Sequence, residues 1–221
     1  MLYTSGTTGK PKGVPRRHRT ERAAAVAQVA QYRMKVGEVS LGVMPMYHTM
    51  GVRSLLATAI IDGTLVCLPR FDATLALRLI AAEKITTLFL VPTLYHDLLA
   101  APGFAKTDIS SVRTLGFAGA PMADALLKRL QEAFKPQLFV NHYGSSEIYT
   151  FSIEPDAPGK PGSAGRAGYN ARIRVVKLDP ADRKSTPDDL AATGEEGQII
   201  AELGGDEAFE GYWKRPDADA K

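Results

Sequence analysis

A chain of 221 residues, 45% hydrophobic and 23% charged, is that of a globular protein with one large domain or one and a half ordinary ones. Its formal charge of +3 suits a small anionic ligand and gives no electrostatic footprint for nucleic acid. A single cysteine, Cys67, excludes an internal disulfide, and no stretch is apolar enough for a membrane span, so the expected setting is cytoplasmic.

The chain opens on Tyr3-Thr4-Ser5-Gly6-Thr7-Thr8-Gly9-Lys10-Pro11-Lys12-Gly13. Arg16-Arg17-His18-Arg19 follows and reads as a solvated helix start, because no aromatic residues are interleaved for base stacking. Thr20 is the expected N-cap of a helix with Ala23, Val26, Ala27, Ala30 and Met34 at apolar spacing. Residues 40–44 read as a buried strand, 52–61 as a helix, and 65–68 as a strand that should bury Cys67. Asp72 is placed to cap a helix running to about Glu83. Residues 86–91 read as a strand, and Pro92 opens a helix to about Leu99. A strand over 113–117, a Gly119-Ala120-Pro121 turn, a helix over 123–134 and a strand over 137–141 continue the alternation.

Strand alternating with helix over short connections predicts an α/β fold, a parallel sheet with flanking helices, over residues 1–150. The pattern then changes. Residues 154–168 are rich in Pro and Gly and read as loop. Residues 171–176 and 197–203 read as strands on either side of a polar excursion. Residues 151–221 are therefore expected to form a smaller β-rich portion with antiparallel strands.

Four segments carry chemistry. In the first, three glycines, four hydroxyl side chains and two lysines fall within eleven residues. Glycines permit close backbone approach, successive N–H groups form an anion nest, and lysines add charge. This is a grip for a polyphosphate. It is not the P-loop of G-x-x-x-x-G-K-[ST], because Pro11 follows Gly9-Lys10. The second is Asn141-His142-Tyr143-Gly144-Ser145-Ser146-Glu147, after a predicted strand, where ligands collect in α/β sheets. Tyr143 offers a stacking face, Ser146 a hydroxyl and Glu147 a hard carboxylate for Mg²⁺. The third is Pro45-Met46-Tyr47-His48-Thr49-Met50-Gly51, whose His48 reads as a base, a ligand or a structural pocket wall. The fourth is Ala118-Gly119-Ala120-Pro121-Met122, open either to a flat ring or to a plain turn.

As an ordered set these segments resemble the adenylate-forming superfamily of acyl-CoA synthetases, peptide-synthetase adenylation domains and firefly luciferase. Tyr3 to Gly13 is similar to its phosphate loop, and Tyr143 to Glu147 to its Tyr-Gly-x-[Thr/Ser]-Glu motif. Gly211-Tyr212-Trp213-Lys214-Arg215-Pro216 is similar to its Gly-Tyr-x-x-x-Pro segment. Within that family the wording of residues 45–48, 117–120 and 141–147 is most similar to aryl-CoA ligases.

The resemblance implies an ATP-dependent ligase that joins a small carboxylic acid to coenzyme A through an acyl-AMP, with release of pyrophosphate. It implies that Thr4, Ser5, Gly6, Thr7, Thr8, Gly9, Lys10 and Lys12 hold the β- and γ-phosphates. Ser146 would touch the α-phosphate and Glu147 would hold Mg²⁺, with Thr7 the third catalytic group. Tyr143 would stack on adenine, with Gly119, Ala120, Asn141 and Gly144 also lining the nucleotide. His48, Thr49, Met50, Phe89, Ala118 and Gly144 would wall the acyl pocket. Family members also carry a region before the phosphate loop, a ribose-binding motif and a mobile C-terminal domain with a catalytic lysine. The chain is therefore expected to be a central fragment with little turnover alone, and to self-associate through exposed strand edges. The alternatives are a catalytically dead nucleotide-binding remnant and an adenylation domain that uses a carrier-protein thiol.

Overall fold

The structure is a computed structural model that describes residues 1–4, 11–178 and 185–219. Its centre is a seven-stranded sheet. The strands are β3 (Val39–Gly42), β4 (Thr64–Cys67), β5 (Thr87–Leu90), β6 (Thr114–Phe117), β7 (Leu138–Tyr143), β8 (Ser152–Glu154) and β9 (Arg166–Ala167), in the spatial order β4-β3-β5-β6-β7-β8-β9. The first five run parallel, with Leu41 opposite Leu88 and Leu115 opposite Phe139. β8 and β9 extend the sheet antiparallel. Two further pairs are separate: a hairpin of β1 (Leu2–Thr4) with β2 (Lys12–Val14), and β10 (Ile173–Lys177) with β11 (Gly197–Ala201).

The parallel strands are joined by α2 (Thr49–Ile60), α3 (Ala73–Ala82), α4 (Pro92–Ala100) and α5 (Asp124–Phe134), while α1 (His18–Gln31) precedes β3. Side chains on a strand alternate between faces. Leu88 and Leu90 of β5, Leu115 and Phe117 of β6 and Phe139 of β7 therefore share one face with Ile80, Tyr95 and Leu130 of α3 to α5. Phe89 of β5 and Val140 of β7 point the other way and pack with Tyr32, just past α1, and Met50 of α2. Phe89 thus leaves the main core and stands where a ligand can reach it.

Several local expectations hold. Leu75 N–H donates to Asp72 Oδ1 at 2.7 Å, and Pro92 occupies the first turn of α4. Others are corrected. Arg17, not Thr20, precedes the first residue of α1, and Thr20 is buried inside the helix. Val26 is 48% exposed while Ala24 and Ala25 are buried. The run of alanines has too little contrast to orient the helix, whose buried face combines Ala24, Ala25 and Ala27 with Thr20, Gln28 and Gln31. Cys67 is exposed rather than buried, because β4 is the edge of the sheet with β3 as its one neighbour. The stretch read as loop from Glu154 contains β9 and the end of β8, strands too short to show a period of two. β7 runs to Tyr143, so the Asn141 motif starts on the strand and not after it.

Candidate functional site

A cavity of about 390 Å³ opens beside the ends of β5, β6 and β7. Its wall takes His48, Thr49 and Met50 from the start of α2, Phe89 from β5, Ala118 and Gly119 from the turn after β6, and Gly144 and Ser146 from the turn after β7. Thr4 reaches it from β1. All six residues assigned to the acyl pocket are thereby brought to one cavity. A second cavity of about 300 Å³ is lined by Ala120, Asn141 and Tyr143. The two cavities share Gly119, His142 and Gly144.

Local chemistry explains the placement. His48 is the N-cap of α2, and its Nδ1 accepts from Met50 N–H at 3.2 Å. Desolvation holds the ring below the usual histidine pKa. A neutral ring whose Nδ1 accepts carries its proton on Nε2, where it can be donated to a ligand. Gly144 admits no side chain, because a Cβ there would lie 1.9 Å from the carbonyl oxygen of Tyr149. Gly119 has φ of +83°, a left-handed conformation that turns the chain away from β6.

The two adjacent serines differ. Ser145 Oγ accepts from Glu147 N–H at 3.2 Å and Ile148 N–H at 3.3 Å, holding the turn. Both serines line the cavity, and only Ser145 also holds the turn. Asn141 Nδ2 donates to the carbonyl of Ser163 at 2.7 Å and anchors the loop across the second cavity. Tyr143 is 43% exposed, with its ring centroid 5.4 Å from that of Phe151.

Glu147 lies behind Ser146 and is held from the far end of the chain. Tyr212 donates its hydroxyl proton to Glu147 Oε1 at 2.6 Å. Burial and that bond both raise the tyrosine pKa. Lys12 Nζ stands 4.0 Å from the centre of the Tyr212 ring, and Trp213 N–H donates to the Gly13 carbonyl at 2.9 Å. The stem of the first loop, the Glu147 turn and the Gly211–Pro216 segment therefore meet. Ser5, Gly6, Thr7, Thr8, Gly9 and Lys10, which connect β1 to β2, lie outside the described residues.

A buried charged layer was not read from the sequence. Arg16, expected in solvent, has a side chain only 2% exposed. It donates to Glu21 Oε1 at 3.0 Å and to the Glu207 carbonyl at 2.8 Å, and it stacks 4.0 Å over the Tyr149 ring. Tyr149 in turn donates to Glu21 Oε1 at 2.8 Å. Arg53, on the buried face of α2, lies 2.7 Å from His142 Nε2 through Nη1. Burial and the Arg53 charge push His142 well below the ordinary histidine pKa, so this ring is neutral. The one available signal was an arginine three residues after Met50 on an otherwise apolar helical face.

A family model described as AMP-binding enzyme matches residues 1–213. The chain belongs to this family. A 4-chlorobenzoate–CoA ligase from Pseudomonas sp. (strain CBS-3) is 38% identical over 181 residues, covering 80% of this chain and 34% of the relative. A protein of the same description from Arthrobacter sp. is 31% identical over the whole chain and 41% of its own length. The N-terminal domain of FACL13 from Mycobacterium tuberculosis, solved with an inhibitor, superposes with a TM-score of 0.84 at 29% identity over 98% of this chain and 52% of that one. The chain thus spans between about a third and two fifths of the length of these curated relatives. Its α/β sheet is that of an AMP-binding enzyme fold.

Proposed function

We propose that this chain forms the nucleotide- and acid-binding part of an ATP-dependent acid–CoA ligase. The observation that carries the reading is the pair of adjoining cavities that share Gly119, His142 and Gly144. Adenine stacks on Tyr143 along Gly119 and Ala120 in the smaller cavity, where Asn141 holds the loop. The acid occupies the larger one, against Met50, Phe89, Thr49 and Ala118. Its carboxylate and the α-phosphate then meet beside the shared residues Gly119, His142 and Gly144.

In the first step a carboxylate oxygen forms a bond to the α-phosphorus, and the bond from that phosphorus to the β-phosphate oxygen breaks. Pyrophosphate leaves with the electron pair, and no proton moves. The work of the site is therefore positioning and charge stabilisation. Nε2–H of His48 orients the carboxylate, Ser146 donates to the α-phosphate, and Thr4 to Lys12 hold the departing phosphates. In the second step the sulfur of coenzyme A bonds to the acyl carbon, the bond from that carbon to the phosphate oxygen breaks, AMP leaves with the electron pair, and the thiol proton passes to solvent.

Glu147 fits a Mg²⁺ ion carried by ATP. Among the described residues no group of three carboxylate, histidine or cysteine ligands could hold a metal ion. A single carboxylate is what Mg²⁺ takes when phosphates and water complete its shell. When bound there the ion supplies charge neutralisation on the phosphates. Tyr212 fixes Glu147 by bonding one oxygen and leaving the other. Equilibrium titration of ATP with and without Mg²⁺ tests the assignment. Binding by this chain should require Mg²⁺ and should fall about tenfold or more in Glu147→Gln. Binding that ignores both changes would remove Glu147 from the site.

A further inference from the structure

Arg53 is 3% exposed. Arginine is almost never fully buried without a partner, because desolvating the cation is costly. Here the partners are neutral. Nη1 lies 2.7 Å from His142 Nε2 and 3.4 Å from the Tyr149 carbonyl oxygen, and Nη2 lies 3.4 Å from His142 Nδ1. Nε has no hydrogen-bond partner. Among the described residues Glu207 and Glu21 act on the guanidinium only through space. Burial disfavours its charge, yet a guanidinium does not lose its proton in a protein. The buried hydroxyl of Tyr32 is also without a partner, and its ring centroid lies 6.2 Å from that of His142.

This cation lines the larger cavity. Of the other buried residues that line it, Met50, Phe89 and Ala118 are apolar, and His142 and Tyr149 are the neutral groups already named. A cavity that sets a desolvated, incompletely bonded cation beside apolar side chains discriminates strongly. An apolar acid would leave the guanidinium unpaired, whereas a ligand carrying an anion in reach would complete it. The reacting carboxylate is placed at the solvent-reaching side, near His48 and Ser146. An anion at Arg53 must therefore be a second one.

We propose that Arg53 is a specificity-determining residue and that the acid taken by this cavity carries a second carboxylate, which pairs with the Arg53 guanidinium. The proposal rests on the acid-ligase reading above for the position of the first carboxylate. His142 is its positioning residue, because its neutral ring holds Nη1.

Calorimetric titration of this chain with matched acids tests it. Adipate is compared with its monoamide and with hexanoate, and phthalate with benzoate, with MgATP binding and thermal unfolding measured on the same samples. The diacid of one pair or the other should bind about tenfold or more tightly than its monoacid. Arg53→Met, which replaces the charge by a similar apolar volume, should abolish that preference, and Arg53→Lys should keep part of it. A variant that fails to unfold cooperatively is replaced by titration of the wild type at rising salt, where the diacid preference should persist, because a buried pair is weakly screened. Equal affinity for diacid and monoacid in the wild type overturns the proposal, as does an undiminished preference in Arg53→Met. MgATP binding reports on the ligase reading separately. In the wild type, absence of a diacid preference with MgATP binding intact defeats the proposal alone, and a diacid preference without MgATP binding supports the proposal while defeating the ligase reading.

Discussion

The solvent-reaching side of the 390 Å³ cavity is made of turns, whereas its buried side is made of side chains from the middle of elements. His48, Gly144 and Ser146 sit where β3 and β7 give way to turns, and their work depends on backbone shape. Arg53 and His142 lie inside α2 and β7, and they depend on a pairing across 89 residues. The first region is fixed by local chemistry that a short motif can encode. The second exists only once the sheet and α2 have packed. Disturbing the turns should therefore distort the cavity directly, and disturbing the buried side should change stability and its response to pH.

The largest effect is expected on the turn side. Gly144→Ala places a methyl 1.9 Å from the Tyr149 carbonyl oxygen, so the backbone must move. Chemical denaturation should show a loss of about 3 kcal/mol. A loss near zero would mean that the turn is not held by Tyr149. On the buried side, His142→Ala leaves Arg53 with the Tyr149 carbonyl alone and should cost about 2 kcal/mol.

His142 also sets a pH response. Its folded pKa lies well below the ordinary value, through burial first and the Arg53 charge second. Below about pH 6.5 the unfolded chain takes up a proton that the folded chain refuses. The stability contributed above that pH is therefore lost as the pH falls toward the folded value. Melting temperature followed from pH 7.5 to 5 should decline in the wild type and decline less steeply in His142→Asn. Equal slopes would mean that this ring is not the group responsible.

A smaller effect separates the cavity from its support. Tyr212→Phe removes the bond to Glu147 Oε1 and should cost about 1 kcal/mol, with a larger proportional loss in Mg²⁺-dependent ATP binding. Arg172→Ala removes an ion pair with Glu202 in which both side chains are mostly exposed. Stability should change by less than about 0.5 kcal/mol, since solvent screens such a pair. A larger change there would show that the β10–β11 region bears on the cavity.

The same division governs what could be read from the sequence. The order of strands and helices from Val39 to Tyr143 was legible because each element carries its own period and its own terminators, as at Asp72 and Pro92. The placement of His48, Ala118, Gly144 and Ser146 between strand ends and helices was legible because turn residues there form compact motifs. β8 and β9 were not, since strands of three and two residues show no alternation. Cys67 was misplaced because the apolar composition of β4 gives no sign that it is an edge strand. Arg16, Arg53 and His142 were missed because a buried charge is recognised by its neighbours, and those neighbours are distant in sequence.

The central claim is that two contiguous cavities accept one ligand, an acyl-adenylate. Calorimetric titration with AMP and with non-hydrolysable acyl-adenylates, a sulfamoyl group standing for the phosphate, tests it most directly. Across a panel of benzoyl, hexanoyl and adipoyl derivatives, at least one should bind this chain about a hundredfold more tightly than AMP, because both cavities are filled at once. Affinities no better than that of AMP for every member of the panel would contradict the account.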